Sequence, residues 1–98
     1  MNLHGITPEG PAVILGSGDL GLIMAKQLAE AGIAVTMVEK NDRCGGIPRN
    51  QRCLKEYPIR LICSDTIAQL HGEKHICGCT TKNGEYLPCR TLLIAVGL

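Results

Sequence analysis

Ala12-Val13-Ile14-Leu15-Gly16-Ser17-Gly18-Asp19-Leu20-Gly21 is an apolar run that opens directly into a Gly-x-Gly-x-x-Gly turn. The run suits a central parallel strand covered on both faces. From Asp19 to Ala31 the apolar residues Leu20, Ile23, Met24, Leu28 and Ala31 recur at helical spacing. Gly21 and Ala25 add a small-residue stripe, and Gly32 is placed to end the helix as a left-handed cap. Ala34 to Val38 forms a second apolar run, closed by Glu39. Strand, glycine turn, helix, strand and terminal acid make up the dinucleotide-binding fingerprint, with the acid close to the roughly 20-residue offset expected of it.

Each glycine has its own physical task. Gly16 lets the chain leave the strand through a tight turn, Gly18 lets a diphosphate approach the backbone, and Gly21 lets the helix pack closely on the strand. The first helical N–H groups, around Asp19 to Gly21, lack intrahelical acceptors and carry the positive end of the helix dipole. A diphosphate is their natural partner. The candidate cofactor-binding residues are therefore Gly16, Ser17, Gly18, Asp19, Leu20 and Gly21, together with Glu39 and Lys40. The Asp19 side chain is expected to face away from the ligand while its N–H faces inward. Glu39 would accept hydrogen bonds from the adenosine ribose hydroxyls and repel a 2′-phosphate. Lys40 and Arg43 nearby would soften that repulsion, so NAD(H) is favoured while NADP(H) stays open. A glycine turn that binds nothing is the competing reading, and Glu39 weighs against it.

Ninety-eight residues hold one small domain, which buries about 60–70% of its unfolded surface. The apolar content of 45% is enough for a core. Two tyrosines, no Phe or Trp and a net charge of +1 argue against a nucleic-acid surface, which wants aromatic platforms on a basic face. The apolar runs are far shorter than a bilayer requires, and residues 1–10 have neither a basic start nor an apolar signal core. No membrane partner is implied, and a soluble cytoplasmic location is the default expectation.

Six cysteines (44, 53, 63, 77, 79 and 89) contain no C-x-x-C, which argues against a redox dithiol or a zinc knuckle. Buried thiols acting as small hydrophobes are the favoured reading. Cys77 and Cys79 are expected on one face of a strand, and Cys44, beside Gly45-Gly46, is expected to be the exposed and reactive one. His4, His71 and His75 are scattered. No base–nucleophile arrangement is visible, so no catalytic residue and no metal ligand is assigned.

Residues 1–10 read as an irregular arm and 11–98 as the domain. After Glu39 comes a polar, glycine-rich loop, Lys40 to Gly46, and then Pro48, which a first helical turn tolerates. Arg49 to Tyr57 reads as a short helix burying Cys53, Leu54 and Tyr57, with Arg49 and Arg52 on a wet face, and Pro58 stops it. Ile59 to Cys63 is a third strand, weakened by Arg60. Segments Thr66–Leu70, Lys74–Thr80 and Glu85–Cys89 alternate and are separated by His71-Gly72 and Asn83-Gly84, the latter a strong hairpin signal. Thr66–Leu70 is also compatible with a helix. Thr91 to Val96 is a last buried strand, expected to rejoin the sheet beside the first, with Gly97 at its end. The expected fold class is α/β: a Rossmann-like βαβαβ parallel sheet with a three-stranded antiparallel meander before the last parallel strand.

From Ala12 to Leu98 the chain resembles the NAD(H)-binding domain of the FAD-dependent pyridine nucleotide–disulfide oxidoreductases. The resemblance is carried by VILGSGDLGLIMA, the acid in VTMVEK, the meander and NGEYLPCRTLLIAVGL. Asn83-Gly84 stands where that family usually has Asp-Gly, and Arg90 where an acid is common. The resemblance implies a domain that presents NAD(H) to a flavin, with FAD bound outside this chain, and close approach of cofactor at Gly97. The FAD domain of the same family also has a glycine motif, and Gly45-Gly46 after Glu39 fits it. Asp19-Leu20 in place of its usual Pro-Ala, and the short span from Glu39 to Thr91, favour the NAD(H) domain. On this reading the chain is an insert whose partner is the FAD domain of its parent protein, and alone it binds nucleotide and catalyses nothing. A free-standing NAD(H) sensor and a structural domain with a degenerate site are the alternatives.

Overall fold

The computed structural model describes residues 9–95. The expected architecture is present. Strands β1 (Ala12–Leu15), β2 (Val35–Val38), β3 (Ile59–Ile62) and β7 (Thr91–Ile94) form a parallel sheet in the order β3-β2-β1-β7. A separate antiparallel meander holds β4 (Ile67–His71), β5 (Gly78–Thr81) and β6 (Tyr86–Pro88) in that order. Between the parallel strands run helix α1 (Asp19–Glu30) and two single turns, α2 (Pro48–Gln51) and α3 (Cys53–Glu56).

Strand alternation divides the core in two. Ala12 and Ile14, Val35 and Met37, and Ile59 face the helices and pack with Leu22, Ala25, Leu28 and Cys53. Val13 and Val38 face the other way and pack with Cys79, Leu87 and Cys89 of the meander region, joined by the half-buried Leu15, Ile62 and Leu92. The centre of the parallel sheet is therefore covered on both faces, and β1 there reads as an unbroken apolar run; β7, expected to be buried, is a half-covered edge strand whose Ile94 is 64% exposed.

The Gly21–Ala25 stripe and Leu28 meet the sheet as expected, but Leu20 and Ile23 do not lie on that face. Gly21, Leu22, Ala25 and Leu28 are buried, whereas Leu20 and Ile23 are 60% and 47% exposed. Close approach decides this. The small residues Gly21 and Ala25 must face the sheet, and Leu22 and Leu28 then fill the space beside them. Gly32 closes the helix end with φ 83°, as expected.

Other boundaries shift as well. The helix expected over Arg49–Tyr57 is split at Arg52, with Cys53 buried and Leu54 and Tyr57 half-buried against the helix side of the core. The middle meander strand begins at Gly78 rather than Lys74. Gly72, at φ 131°, turns the chain so tightly that a Cβ there would overlap the His75 carbonyl, and Lys74 to Cys77 are spent on the return. Around Asn83-Gly84, Gly84 takes φ 97° while its N–H donates to the Thr81 carbonyl at 2.9 Å. The last strand is described as far as Ile94; Val96 and Gly97 lie outside the described residues, as does most of the arm at 1–10.

Candidate nucleotide-binding site

The carboxyl ends of β1 and β2 open into a cleft of ≈ 250 Å³. Gly16 leaves β1 with φ 108°, a value that a side chain would strain. Its N–H donates to the Val38 carbonyl at 2.8 Å and ties the turn to β2. Gly18 is the N-cap of α1 and has no capping side chain. A Cβ built on it meets nothing within 4 Å, so there is open space for a ligand to approach that backbone. At Gly21 a Cβ would lie 2.6 Å from the Gly16 carbonyl oxygen and 3.3 Å from the Ala95 Cβ. Among the described residues no backbone acceptor meets the N–H groups of Gly18, Asp19 and Leu20.

Glu39 stands at the end of β2 and is 5% exposed. Its Oε1 accepts from the Ser17 N–H at 3.0 Å and the Ser17 hydroxyl at 2.6 Å, and its Oε2 accepts from the Asn41 N–H at 2.9 Å. Burial pushes the carboxyl upward, but those hydrogen bonds, with the Lys40 charge, outweigh it and hold Glu39 below its ordinary range. Glu39 is thus an anchored anion beside the glycine turn.

The loop after β2 folds back over that turn. Gly45 N–H donates to Ser17 Oγ at 2.9 Å, and the Cys44 thiol donates to the Ser17 carbonyl at 3.4 Å. Asp19 faces away from the cleft, as expected, and accepts from Ile47 N–H at 2.9 Å and Asn50 Nδ2 at 3.0 Å. Those two bonds hold its carboxyl below the ordinary value. Gly46 sits so close to Leu22 that a Cβ would overlap the leucine side chain.

Of the residues singled out from sequence, Gly16, Ser17, Gly18, Glu39 and Lys40 line the cleft together. Asp19 and Leu20 lie beyond its wall, and Gly21 lies under the turn as a packing residue. Gly97 is outside the described residues. Arg43 is engaged in an exposed 3.5 Å pair with Asp42. Arg49 and Arg52 line a different groove beside α1, with Arg52 Nε 3.8 Å from Glu56.

Asn41, Gly45, Thr66 and Ala95 also line the cleft and were not anticipated. Thr66 is placed there by Asp65, a buried carboxylate. Asp65 N–H donates to the Glu39 carbonyl at 3.1 Å, and its Oδ1 accepts from the N–H groups of Thr66 at 2.8 Å and Asn83 at 3.1 Å. Burial raises the Asp65 carboxyl, but hydrogen bonds from the Thr81 hydroxyl and from Thr66 and Asn83 bring it below its usual value. Asp65 thereby joins the meander to the rim of the cleft. The signal was a polar Ser-Asp-Thr between two strands, which marks a side-chain-bonded turn.

The cysteines correct two expectations. Cys44 is half-buried over Ser17, and the exposed thiol is Cys77. Cys77 and Cys79 do not share a strand face, because β5 starts only at Gly78, and Cys79 is fully buried between the two sheets with Cys89. Burial and the neighbouring Cys79 push the Cys89 thiol up to about 12. Among the described residues no cluster suited to a metal ion occurs, and no helix is long and apolar enough to cross a membrane.

A family profile described as pyridine nucleotide-disulphide oxidoreductase matches residues 4–98. Among solved structures, thioredoxin reductase of T. acidophilum superposes with a TM-score of 0.79 at 22% identity, covering 88% of this chain and 30% of that one. The ferredoxin reductase of the CYP199A2 system from Rhodopseudomonas palustris gives 0.77 at 24%, covering 88% and 23%. A FAD-dependent pyridine nucleotide-disulphide oxidoreductase from Desulfovibrio vulgaris gives 0.75 at 28%, covering 88% and 24%. Phytoene desaturase of Neurospora crassa is 51% identical over 35 residues, 36% of this chain and 6% of that protein. The chain spans less than a third of the length of each of these proteins.

Proposed function

This chain belongs to the pyridine nucleotide-disulphide oxidoreductase family, and we propose that within it the chain is the NAD(H)-binding domain of an FAD-dependent enzyme. It would present NAD(H) to a flavin held by other parts of its parent protein. The observation that carries this reading is the meeting of Glu39 with the glycine turn in one cleft, through hydrogen bonds that span 22 residues of sequence.

The residues present fit a dinucleotide. The open space before Gly18 and the N–H groups of Gly18, Asp19 and Leu20 suit a diphosphate. Glu39, held ionised, suits a ribose diol. Gly16 and Gly21 keep the turn close to the sheet, with Gly18 on the cleft wall. Lys40 supplies a cation on the cleft wall. NAD(H) when bound supplies the hydride; this chain's part is to bind and orient it, and the assignment includes no catalytic residue.

The short path from Glu39 to β7 supports the NAD(H) assignment, since only α2, α3, β3 and a three-stranded meander intervene. A second reading, the FAD-binding domain of the same family, is favoured by the Gly45-Gly46 loop lying against Ser17 and Leu22. Calorimetric titration with NADH, NADPH and FAD separates them. Saturable NADH binding that weakens in Glu39→Ala is the expected result. FAD binding in place of NADH would establish the second reading, and no binding of any of the three would refute both.

A further inference from the structure

An ionised carboxylate offers about four acceptor positions. In Glu39 both positions on Oε1 are taken by Ser17, through its N–H and its hydroxyl, and one on Oε2 is taken by Asn41. One position remains, on the oxygen that Ser17 does not touch. Ser17 itself is 0% exposed and committed on every side: its hydroxyl proton goes to Glu39, its Oγ accepts from Gly45 N–H at 2.9 Å, and its carbonyl accepts from the Cys44 thiol. Turning the serine away would break its bonds to both the carboxylate and the overlying loop. Turning the carboxylate would strip three donors at once.

We propose that Ser17 is a positioning residue that sets the nucleotide preference of this cleft, holding Glu39 fixed with a single acceptor position for a ribose diol. This rests on the reading that the cleft takes NAD(H). A ribose hydroxyl donates to the remaining position on Oε2. A 2′-phosphate has no proton to give at neutral pH beyond its own partial protonation, and it meets an anion that is unable to swing aside. Arg43, the second nearby cation, is engaged with Asp42 and leaves Lys40 as the cation on the cleft wall among the described residues. Discrimination thus comes from the immobility of Glu39 as much as from its charge.

Dissociation constants for NADH and NADPH, measured by fluorescence titration on the full chain, test this. The variants are Ser17→Ala, Ser17→Cys, Glu39→Ala and the double variant Ser17→Ala/Glu39→Ala. Ser17→Ala is expected to lower the preference for NADH over NADPH roughly tenfold, the effect of one hydrogen bond to a charged group. Ser17→Cys fills similar space but donates weakly. It is expected to lower the preference likewise, and it carries the test if the alanine variant fails to fold. In the Glu39→Ala background the Ser17 substitution is expected to change nothing further. An unchanged preference in the folded Ser17 variants, or an equal fall with and without Glu39, would overturn the proposal. Failure of the unsubstituted chain to bind NADH refutes the underlying reading instead, and shows itself before any variant is compared.

Discussion

Gly18 and Gly21 belong to one motif but answer to different forces, and alanine at each separates them. At Gly21 the new Cβ would lie 2.6 Å from the Gly16 carbonyl oxygen and 3.3 Å from Ala95. The carbonyl is backbone, in a residue whose N–H is held to Val38 at 2.8 Å, so it has little freedom to retreat. Overpacking of this kind costs about 1–3 kcal/mol. Against it stands the better helix propensity of alanine, about 1 kcal/mol. Contact with a fixed backbone oxygen puts the cost in the upper part of the overpacking range, about 2–3 kcal/mol, so the clash wins and Gly21→Ala is expected to lose about 1–2 kcal/mol net, or roughly 4–16 °C in Tm for a domain of this size. Gly18 has φ −68° and nothing within 4 Å of its would-be Cβ. There the poorer N-cap value of alanine is offset by reduced freedom of the unfolded chain, so the Tm should stay nearly constant. The same methyl group occupies the approach to the backbone N–H groups, and NADH affinity should fall at least about tenfold, a loss of ~1.4 kcal/mol. Thermal melts followed by circular dichroism, paired with NADH titration, read both quantities. Native-like stability in Gly21→Ala would refute the close-packing account. Native-like NADH affinity in Gly18→Ala would refute the diphosphate cradle.

Glu39→Ala leaves the Ser17 hydroxyl and the Ser17 and Asn41 N–H groups without their acceptor, and should cost about 2–3 kcal/mol in urea unfolding as well as weakening NADH; stability equal to the parent would show that those bonds are not made. Glu39 and Asp65 both have folded-state pKa values below their ordinary ones. Their stabilisation is therefore present above the usual carboxylate range near pH 4 and lost as pH falls through the folded values. Asp65→Asn should start from a lower Tm at neutral pH and fall less steeply down the acid limb, and an identical acid limb would contradict this. In the folded chain a maleimide should modify Cys77 first, with Cys79 and Cys89 protected between the sheets. Peptide mapping that finds Cys79 or Cys89 labelled before Cys77 would contradict the two-layer core.

Much of the fold was legible because its signals are local. A four-residue apolar run, a glycine turn and a terminal acid are each properties of neighbouring residues, and the pairing of β7 with β1 follows from the strand order of a βαβαβ unit. The phase of α1 was less legible. Leu20 and Ile23 are as apolar as Leu22 and Leu28, and only the distance of the helix from the sheet selects the face that carries Gly21 and Ala25. Cys44 and Cys77 exchanged their expected exposures for a similar reason. Ser17 draws the loop over Cys44, while the tight return at Gly72 moves Cys77 off the strand.

Sequence alone determined that a glycine turn and an acid stand at the ends of adjacent parallel strands, because strand order and chain direction bring Gly16 and Glu39 to the same edge of the sheet. Tertiary structure decided what the two do to each other. Ser17 reads in the sequence as one more residue of the cofactor-binding turn, and its bond to Glu39 is not legible there, since a hydrogen bond to a residue 22 positions away leaves no local pattern. Folding places its hydroxyl between Glu39 and Gly45, and Asp65 brings the meander to the same rim. Burial and the saturation of polar groups belong to the packed state, and they turn a motif into a cleft with a fixed anion at its wall.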